Sequence, residues 1–268
     1  SAGRMAERGP MSKLVVFGLG YTAQVFARRM TAKGWRVHGT SRGAEQASAL
    51  RARGFEMSVF TGNAPDESAR EALRRATHVL VSIAPGAEGD CVLSHHADDL
   101  KRAENLQWIG YLSTVGVYGD HGGAQVDEDT ALKPKSERSV QRVAAEEAWA
   151  EFGARTGKAV HIFRLAGIYG PGRGPLEKVR RGEGRRIVKR AQVFNRIHVE
   201  DIASVLEASL LGPNAGRRRM WWLSRRGRWA SKRPLKWRSR RPASAPWAAV
   251  STARTSGCPT RGSGKNWA

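Results

Sequence analysis

Short apolar runs alternate along the chain with longer stretches that have a helical hydrophobic period. The runs are rich in β-branched residues and predict buried strands at 13–17, 37–40, 56–61 and 78–85, with a fifth beginning at 108. Between them, the spacing predicts helices at 24–30, 44–53, 65–76 and 94–105. This order predicts an α/β fold of the Rossmann type, with a doubly wound parallel sheet, helices on both faces and right-handed crossovers.

The first strand and helix are joined by a glycine-rich turn of the form G-x-G-x-x-A. Gly18 permits a tight turn, Gly20 lets the backbone approach a pyrophosphate, and Ala23 lets helix and strand pack closely. Tyr21 and Thr22 are expected to contact the cofactor beside the start of the helix, whose free N–H groups and positive dipole end favour phosphate. A tight turn without a ligand would look similar, but the flanking strand and helix favour a dinucleotide site.

The end of the second strand bears on the choice of cofactor. NAD-binding folds usually place Asp or Glu there, about 20 residues after the glycines, to bind the ribose 2′-hydroxyl. This chain has Ser41 and Arg42, which suit a 2′-phosphate and predict NADP over NAD, although Arg42 could also be a solvated loop cation. The loop that contains Ala84 and Pro85 follows the fourth strand, so we expect it to face the cofactor.

Four later stretches carry motifs in a fixed order. Residues 112–119 read Leu-Ser-Thr-x-Gly-Val-Tyr-Gly, 126–130 form an acidic loop, 162–173 contain Arg-Leu-Ala-Gly-Ile-Tyr-Gly-Pro, and 196–203 contain His-Val-Glu-Asp-Ile-Ala. With the glycine turn, this series resembles the extended short-chain dehydrogenase/reductases, the NAD-dependent epimerase/dehydratase family. The resemblance implies an oxidoreductase or epimerase acting on a sugar nucleotide or another small carbonyl or alcohol compound. It also implies a substrate lobe at about 168–200 and a homodimer formed through helices near 94–105 and 137–152.

The chain departs from this family at the catalytic helix. The family usually carries Tyr-x-x-x-Lys there, and the match of Ala145-Glu146 to the family's Ala-Glu pair places Arg138 at the tyrosine position and Arg142 at the lysine position. Arg142 could still bind the nicotinamide ribose as a cation. Arg138 cannot shuttle protons at neutral pH, because the pKa of a guanidinium lies above ~12. We therefore expect an atypical member that keeps the cofactor fold without the dyad.

Three hydroxyl groups remain as catalytic candidates. Ser113 or Thr114 could bind a substrate carbonyl, and Tyr118 is the nearest tyrosine in sequence. Each also has a structural interpretation, as a strand-end cap, a cofactor contact or a packing residue, and for Tyr118 the packing role is favoured. His198 is expected to tie its loop to the following helix rather than to titrate. A non-catalytic NADP-binding sensor or regulator is therefore an alternative to an enzyme.

The formal charge of +22 is concentrated at the C-terminal end. Residues 217–268 contain 15 Lys or Arg and no Asp or Glu, which leaves +7 for residues 1–216. Six of the nine Trp also fall there: Trp221, Trp222, Trp229, Trp237, Trp247 and Trp267. A nucleic-acid or membrane-binding arm has this composition. So does GC-rich DNA translated out of frame.

We favour the second interpretation of this tail. The codons admitted by residues 250–268, shifted by two bases, can encode a charged segment that resembles the C-terminal helix entry of extended family members. The hypothesis is a frameshift near Gly216, with 217–268 a non-native or disordered tail and nucleic-acid binding not expected.

The remaining features are consistent with a cytoplasmic protein that contains one cofactor domain. Residues 1–12 are expected to be a flexible leader and 13–216 the NAD(P)-binding domain. Cys91 and Cys258 are far apart in sequence and predict neither a metal site nor a disulfide framework. No apolar run approaches the ~20 residues of a membrane span, so no membrane partner is expected.

Overall fold

The computed structural model describes residues 13–184 and 193–212, together with the backbone of 219–223. The chain divides after Pro234, and every element described below belongs to the first unit, Ser1–Pro234.

Strands and helices alternate along most of the described chain. The strands are β1 (Lys13–Phe17), β2 (Arg36–Ser41), β3 (Glu56–Val59), β4 (His78–Val81), β5 (Trp108–Thr114), β6 (Val160–Leu165), β7 (Gly167–Tyr169), β8 (Arg196–His198) and β9 (Arg219–Leu223). The helices are α1 (Tyr21–Ala32), α2 (Ala44–Arg51), α3 (Glu67–Arg74), α4 (Cys91–Arg102), α5 (Glu137–Thr156), α6 (Pro175–Arg180) and α7 (Val199–Leu211). A short 3-10 turn, Val115–Tyr118, follows β5.

Seven strands form one sheet in the order β3-β2-β1-β4-β5-β6-β9, and every neighbouring pair is parallel. The order reverses between β1 and β4, which is where Rossmann folds bind dinucleotides. The predicted α/β class and doubly wound sheet are therefore confirmed. A second, two-stranded sheet of β7 and β8 lies within the predicted substrate lobe.

Alternating side chains of the central strands supply two separate apolar cores. Leu14 and Val16 of β1 belong to a core shared with α1, α2 and α7, whereas Val15 and Phe17 belong to a core shared with α3, α4 and α5. Burial on both faces explains why these strands appear in the sequence as continuous apolar runs. Because the strands are parallel, their carboxyl ends lie at a common edge of the sheet.

Several elements have bounds that differ from the expected ones, among them the fourth strand and the helix after it. The fourth strand ends at Val81 and not at Pro85, and the next helix begins at Cys91 and not near 94. Asp90 explains the early start, because its carboxylate accepts hydrogen bonds from the N–H groups of Val92 and Leu93 at 3.0 and 3.1 Å.

The sheet extends past the predicted domain boundary at residue 216. β9, with the sequence Arg-Met-Trp-Trp-Leu, pairs in parallel with β6 as the last strand of the sheet. The apolar run inside the basic tail is long enough for a short strand, and Trp favours strands. Residues 224–268 and the leader 1–12 lie outside the described residues, so the frameshift hypothesis stays a prediction.

Candidate cofactor and active site

The glycine turn between β1 and α1 cannot accept a larger residue at its first glycine. Gly18 has a φ of +82°, and a Cβ added there would lie 2.8 Å from Cγ1 of Ile83, in the loop after β4. Both the backbone conformation and the close approach of the β4 loop therefore require glycine.

Thr40 of β2 holds the same turn from the other side. Its hydroxyl accepts a hydrogen bond from the N–H of Gly18 at 3.0 Å, and its carbonyl accepts one from the N–H of Leu19 at 2.8 Å. Sequence reasoning did not identify this residue, because a buried threonine in a strand carries no distinguishing signal. The turn is thus fixed by three adjacent strands.

The amino terminus of α1 is built to accept an anion. Gly20 occupies the cap position with no side-chain hydrogen bond, and the first turn contains no acidic residue. A Cβ on Gly20 would have only the Gly18 carbonyl oxygen near it, at 4.0 Å, so the space above the turn is open. Thr22 and Ala23 are buried against the sheet. Open space beside free N–H groups and a helix dipole fits a dinucleotide pyrophosphate.

Ser41 and Arg42 follow Thr40, and they differ in whether their side chains are free to bind a ligand. Ser41 is buried, and its hydroxyl lies 3.0 Å from the Gly43 carbonyl and 3.1 Å from Oε1 of Gln46. Arg42 is exposed and forms no hydrogen bond or ion pair with any other described residue. Of the two predicted 2′-phosphate ligands, the structure leaves the arginine free and engages the serine.

Ala84 and Pro85 lie in the loop after β4, near the same sheet edge. Ala84 is exposed and Pro85 is half-buried, and the loop turns through a bridge between Gly86 and Gly89. It leads to Asp90, whose carboxyl pKa is raised by burial and lowered in part by the hydrogen bonds from the N–H groups at the start of α4. The Ala84–Pro85 loop therefore lies beside the glycine turn, as the fold requires.

A buried polar network occupies the region at the end of β5. Arg164 of β6 donates to the Glu146 carboxylate of α5 with an Nη2–Oε2 distance of 2.8 Å, and both side chains are less than 5 % exposed. The Ser113 hydroxyl donates to the same carboxylate, and Nη1 of Arg164 donates to the Tyr118 hydroxyl at 2.9 Å. The network links two strands, a helix and the 3-10 turn.

All three candidate catalytic hydroxyls are engaged within the protein. Ser113 and Tyr118 belong to the buried network, and the Thr114 hydroxyl accepts a hydrogen bond from the N–H of Gly116 at 3.1 Å. Burial raises the pKa of Tyr118 above its ordinary value, despite the opposing effect of Arg164. A buried phenol with a raised pKa is poorly suited to proton transfer near neutral pH.

The two arginines of α5 have different environments. Nη1 of Arg142 donates to the Tyr111 hydroxyl at 3.0 Å and to the Leu112 carbonyl at 2.8 Å, so the guanidinium lies beside the end of β5. Burial raises the pKa of Tyr111, which stays protonated. Arg138 is exposed. The role of Arg142 as a ribose-binding cation stays a prediction, and Arg138 makes no contribution to the buried network.

His198 performs the structural role expected of it. Its Nδ1 accepts a hydrogen bond from the N–H of Glu200 at 3.3 Å and so caps α7. Within the described residues no group of three or more His, Cys, Asp or Glu side chains could hold a metal ion. No described helix combines the length and apolar character needed to cross a membrane.

The parallel sheet, its order and the glycine turn define a protein of the Rossmann type. Residues 96–220 match the NAD dependent epimerase/dehydratase family. The chain belongs to this family, as its motif series indicates.

Three proteins of known sequence or structure are similar to this chain over most of its length. A conserved protein of unknown function from Silicibacter pomeroyi is 47% identical, with a TM-score of 0.70, covering 80% of this chain and 72% of that one. Protein YeeZ of Escherichia coli K12 is 28% identical over 215 residues, 77% of this chain and 76% of YeeZ. The fold is shared with dTDP-glucose 4,6-dehydratase of Bacillus anthracis in complex with NAD, at 14% identity and a TM-score of 0.64, covering 80% and 75%.

Proposed function

We propose that this protein is an NAD(P)-dependent oxidoreductase or epimerase that acts on a sugar nucleotide or another small carbonyl or alcohol compound. The observation that carries the cofactor part is the open space above Gly20, beside an uncapped helix terminus. Family membership supports the reaction class. Bound NAD in the Bacillus anthracis dehydratase supports the choice of a nicotinamide dinucleotide.

Different residues would hold successive parts of the cofactor, from the pyrophosphate to the nicotinamide ribose. The glycine turn and first turn of α1 would bind the pyrophosphate, Arg142 the nicotinamide ribose, and Ala84 with Pro85 would cover one side. A nicotinamide ring supplies hydride acceptance or donation when bound. The chain's own contribution is to orient the ring and exclude water. Arg138 stands at the family's tyrosine position, and a guanidinium cannot transfer a proton near neutral pH.

NADP is the cofactor we favour over NAD. Arg42 is the exposed cation at the end of β2, and α2 starts two residues later without a capping side chain. A guanidinium and free helix N–H groups both favour a 2′-phosphate. Ser41 contributes to shaping this turn, since its hydroxyl is engaged with Gly43 and Gln46.

A non-catalytic cofactor-binding role is the second candidate, and the buried network favours it. The Ser113 hydroxyl donates to Glu146 and the Tyr118 hydroxyl accepts from Arg164, and both residues are buried, so neither hydroxyl is exposed to a substrate. A sensor or regulator would need the cofactor site without a proton shuttle. We place either function in the cytoplasm, on the composition argument above, and propose a homodimer formed through α4 and α5.

A thermal-melt titration with NADPH and NADH, followed by a turnover assay, tests the proposal. A ligand that binds the folded state raises its melting temperature. A larger rise with NADPH than with NADH supports cofactor binding and the role of Arg42. Reduction of NADP by a panel of sugar nucleotides and small alcohols supports the enzyme. Binding without any turnover favours the regulator, and no shift with either dinucleotide contradicts both functions.

A further inference from the structure

The chain segment that enters the substrate lobe forms a tight turn over the start of α1. The N–H of Gly170 donates to the carbonyl of Arg173 at 2.8 Å, and the N–H of Arg173 donates back at 3.0 Å. Pro171 and Gly172, with φ of +70° at the glycine, occupy the two central positions. Mutual hydrogen bonds and these two residue types make the turn rigid.

Tyr21 holds this turn against the cofactor helix. Its hydroxyl donates to the carbonyl of Pro171 at 3.0 Å. A Cβ on Gly170 would lie 2.6 Å from the same hydroxyl and 2.7 Å from Cγ1 of Val199, so the turn cannot come this close with a larger residue at 170. Since Tyr21 is the first residue of α1, the turn lies next to the helix terminus that faces the open space.

The turn presents a cation at this terminus. The guanidinium carbon of Arg173 lies 5.3 Å from the centroid of the Tyr21 ring. The side chain is exposed and forms no ion pair with a carboxylate of the described residues. Stacking on an aromatic ring orients a guanidinium and leaves its edge N–H donors available, and this edge matches the oxygens of a phosphate.

We propose that Arg173 is a diphosphate ligand that binds the cofactor pyrophosphate from the lobe side, opposite the N–H groups of α1. This inference rests on the proposed cofactor function. A nucleotide-linked substrate also carries a diphosphate, but the contact with Tyr21 places Arg173 at the cofactor helix. Tyr21 then acts as a positioning residue, because its ring and hydroxyl set where the arginine lies.

The test is calorimetric titration of the full chain with three probes: NADPH, ADP-ribose and UDP. Arg173→Ala should weaken the binding of NADPH and ADP-ribose about tenfold or more, by loss of a charge-assisted contact to the diphosphate. Arg173→Lys, which keeps the charge without the planar fork, should recover part of this loss. Tyr21→Phe should weaken the same two probes by a smaller factor. Arg181→Ala, which removes an exposed arginine at the end of α6, is the matched control and should leave both affinities unchanged.

The outcomes separate the two levels of the proposal. If the unmodified chain binds NADPH or ADP-ribose and Arg173→Ala binds the same probe equally well, Arg173 is not a pyrophosphate ligand, and the cofactor function stands. Selective loss of UDP binding in Arg173→Ala would overturn the assignment in favour of the substrate diphosphate. If the unmodified chain binds neither NADPH nor ADP-ribose, the cofactor function and this inference both fail.

Discussion

Ser113 and Arg164 are direct partners in the pairing of β5 with β6, and both side chains reach the carboxylate of Glu146. The end of β5, where this family normally presents a substrate-binding hydroxyl, is therefore tied to a buried ion pair. The strand end that the motif series predicts to be an active site is a structural junction between β5, β6 and α5.

Removal of one member of this ion pair should strongly destabilise the protein. Glu146→Gln leaves the Arg164 guanidinium buried without its counter-charge, which typically costs about 3–5 kcal/mol. Urea denaturation of the variant measures the loss. Glu151→Gln is the control, because the Glu151–Arg155 pair has side chains 69% and 70% exposed and should contribute less than about 1 kcal/mol. Equal losses in the two variants would contradict the structural role of Glu146.

His78 should make folding sensitive to mild acid. The side chain is buried at the start of β4 beside Trp35, and burial lowers its pKa to about 4. The unfolded chain binds a proton at this histidine near pH 6.5, while the folded chain does so only near pH 4. The stability contribution is thus complete above pH 6.5 and is lost as the pH falls towards 4, by about 3 kcal/mol in total.

Denaturation midpoints between pH 4.5 and 8 check this prediction. His78→Gln removes the titrating group, so its curve should be flatter than that of the unmodified chain below pH 6.5 and parallel to it above. Two curves that stay parallel over the whole range would assign the acid sensitivity to other groups.

Gly18→Ala should reduce cofactor affinity as well as stability. The new Cβ would collide with Ile83 at 2.8 Å, so either the glycine turn or the β4 loop must move, and both border the proposed pyrophosphate site. Gly34→Ala is a matched control, since Gly34 has a φ of +83° with no atom within 4 Å of an added Cβ. It should cost roughly 1 kcal/mol from backbone strain alone and leave NADPH affinity unchanged. Equal NADPH affinities for the two variants would place the cofactor away from this turn.

Arg42→Ala should change the choice of cofactor more than it changes stability. Loss of a charge-assisted contact to the 2′-phosphate should weaken NADPH about tenfold and leave NADH within a factor of two. Arg53→Ala, an exposed arginine after α2, should alter neither affinity. Parallel losses for NADPH and NADH would indicate that Arg42 binds a part common to both molecules.

The backbone of the site could be predicted from the sequence, whereas the side-chain partners could not. Apolar runs and glycines restrict the main chain locally, so the β1–α1 turn and the alternation of strands and helices follow from them. From the sequence alone, the hydroxyl of Ser113 is expected to be available to a substrate. Its engagement depends on Glu146, 33 positions away, and on Arg164 in the next strand. Contacts of this kind require the folded packing.

Helix caps and the last strand show the same limit at smaller scale. α4 begins at Cys91, three residues before the expected start, because the Asp90 carboxylate caps the helix there. A single capping residue can thus shift a helix boundary that the apolar pattern alone predicts. β9 was not predicted from the sequence, because the composition of the whole basic tail does not indicate a strand of only five residues.

The position of Thr40 has a consequence for redesign of the cofactor preference. It anchors the glycine turn through both its hydroxyl and its carbonyl, one residue before the stretch that would contact the 2′-substituent. Residues 41–43 can thus be exchanged as a cassette, for example to introduce the acid that NAD-binding folds use, while the anchor of the phosphate turn stays in place. Thr40, which holds the glycine turn, and residues 41–43, which would select between NADP and NAD, are adjacent in the chain but can be changed separately by mutation.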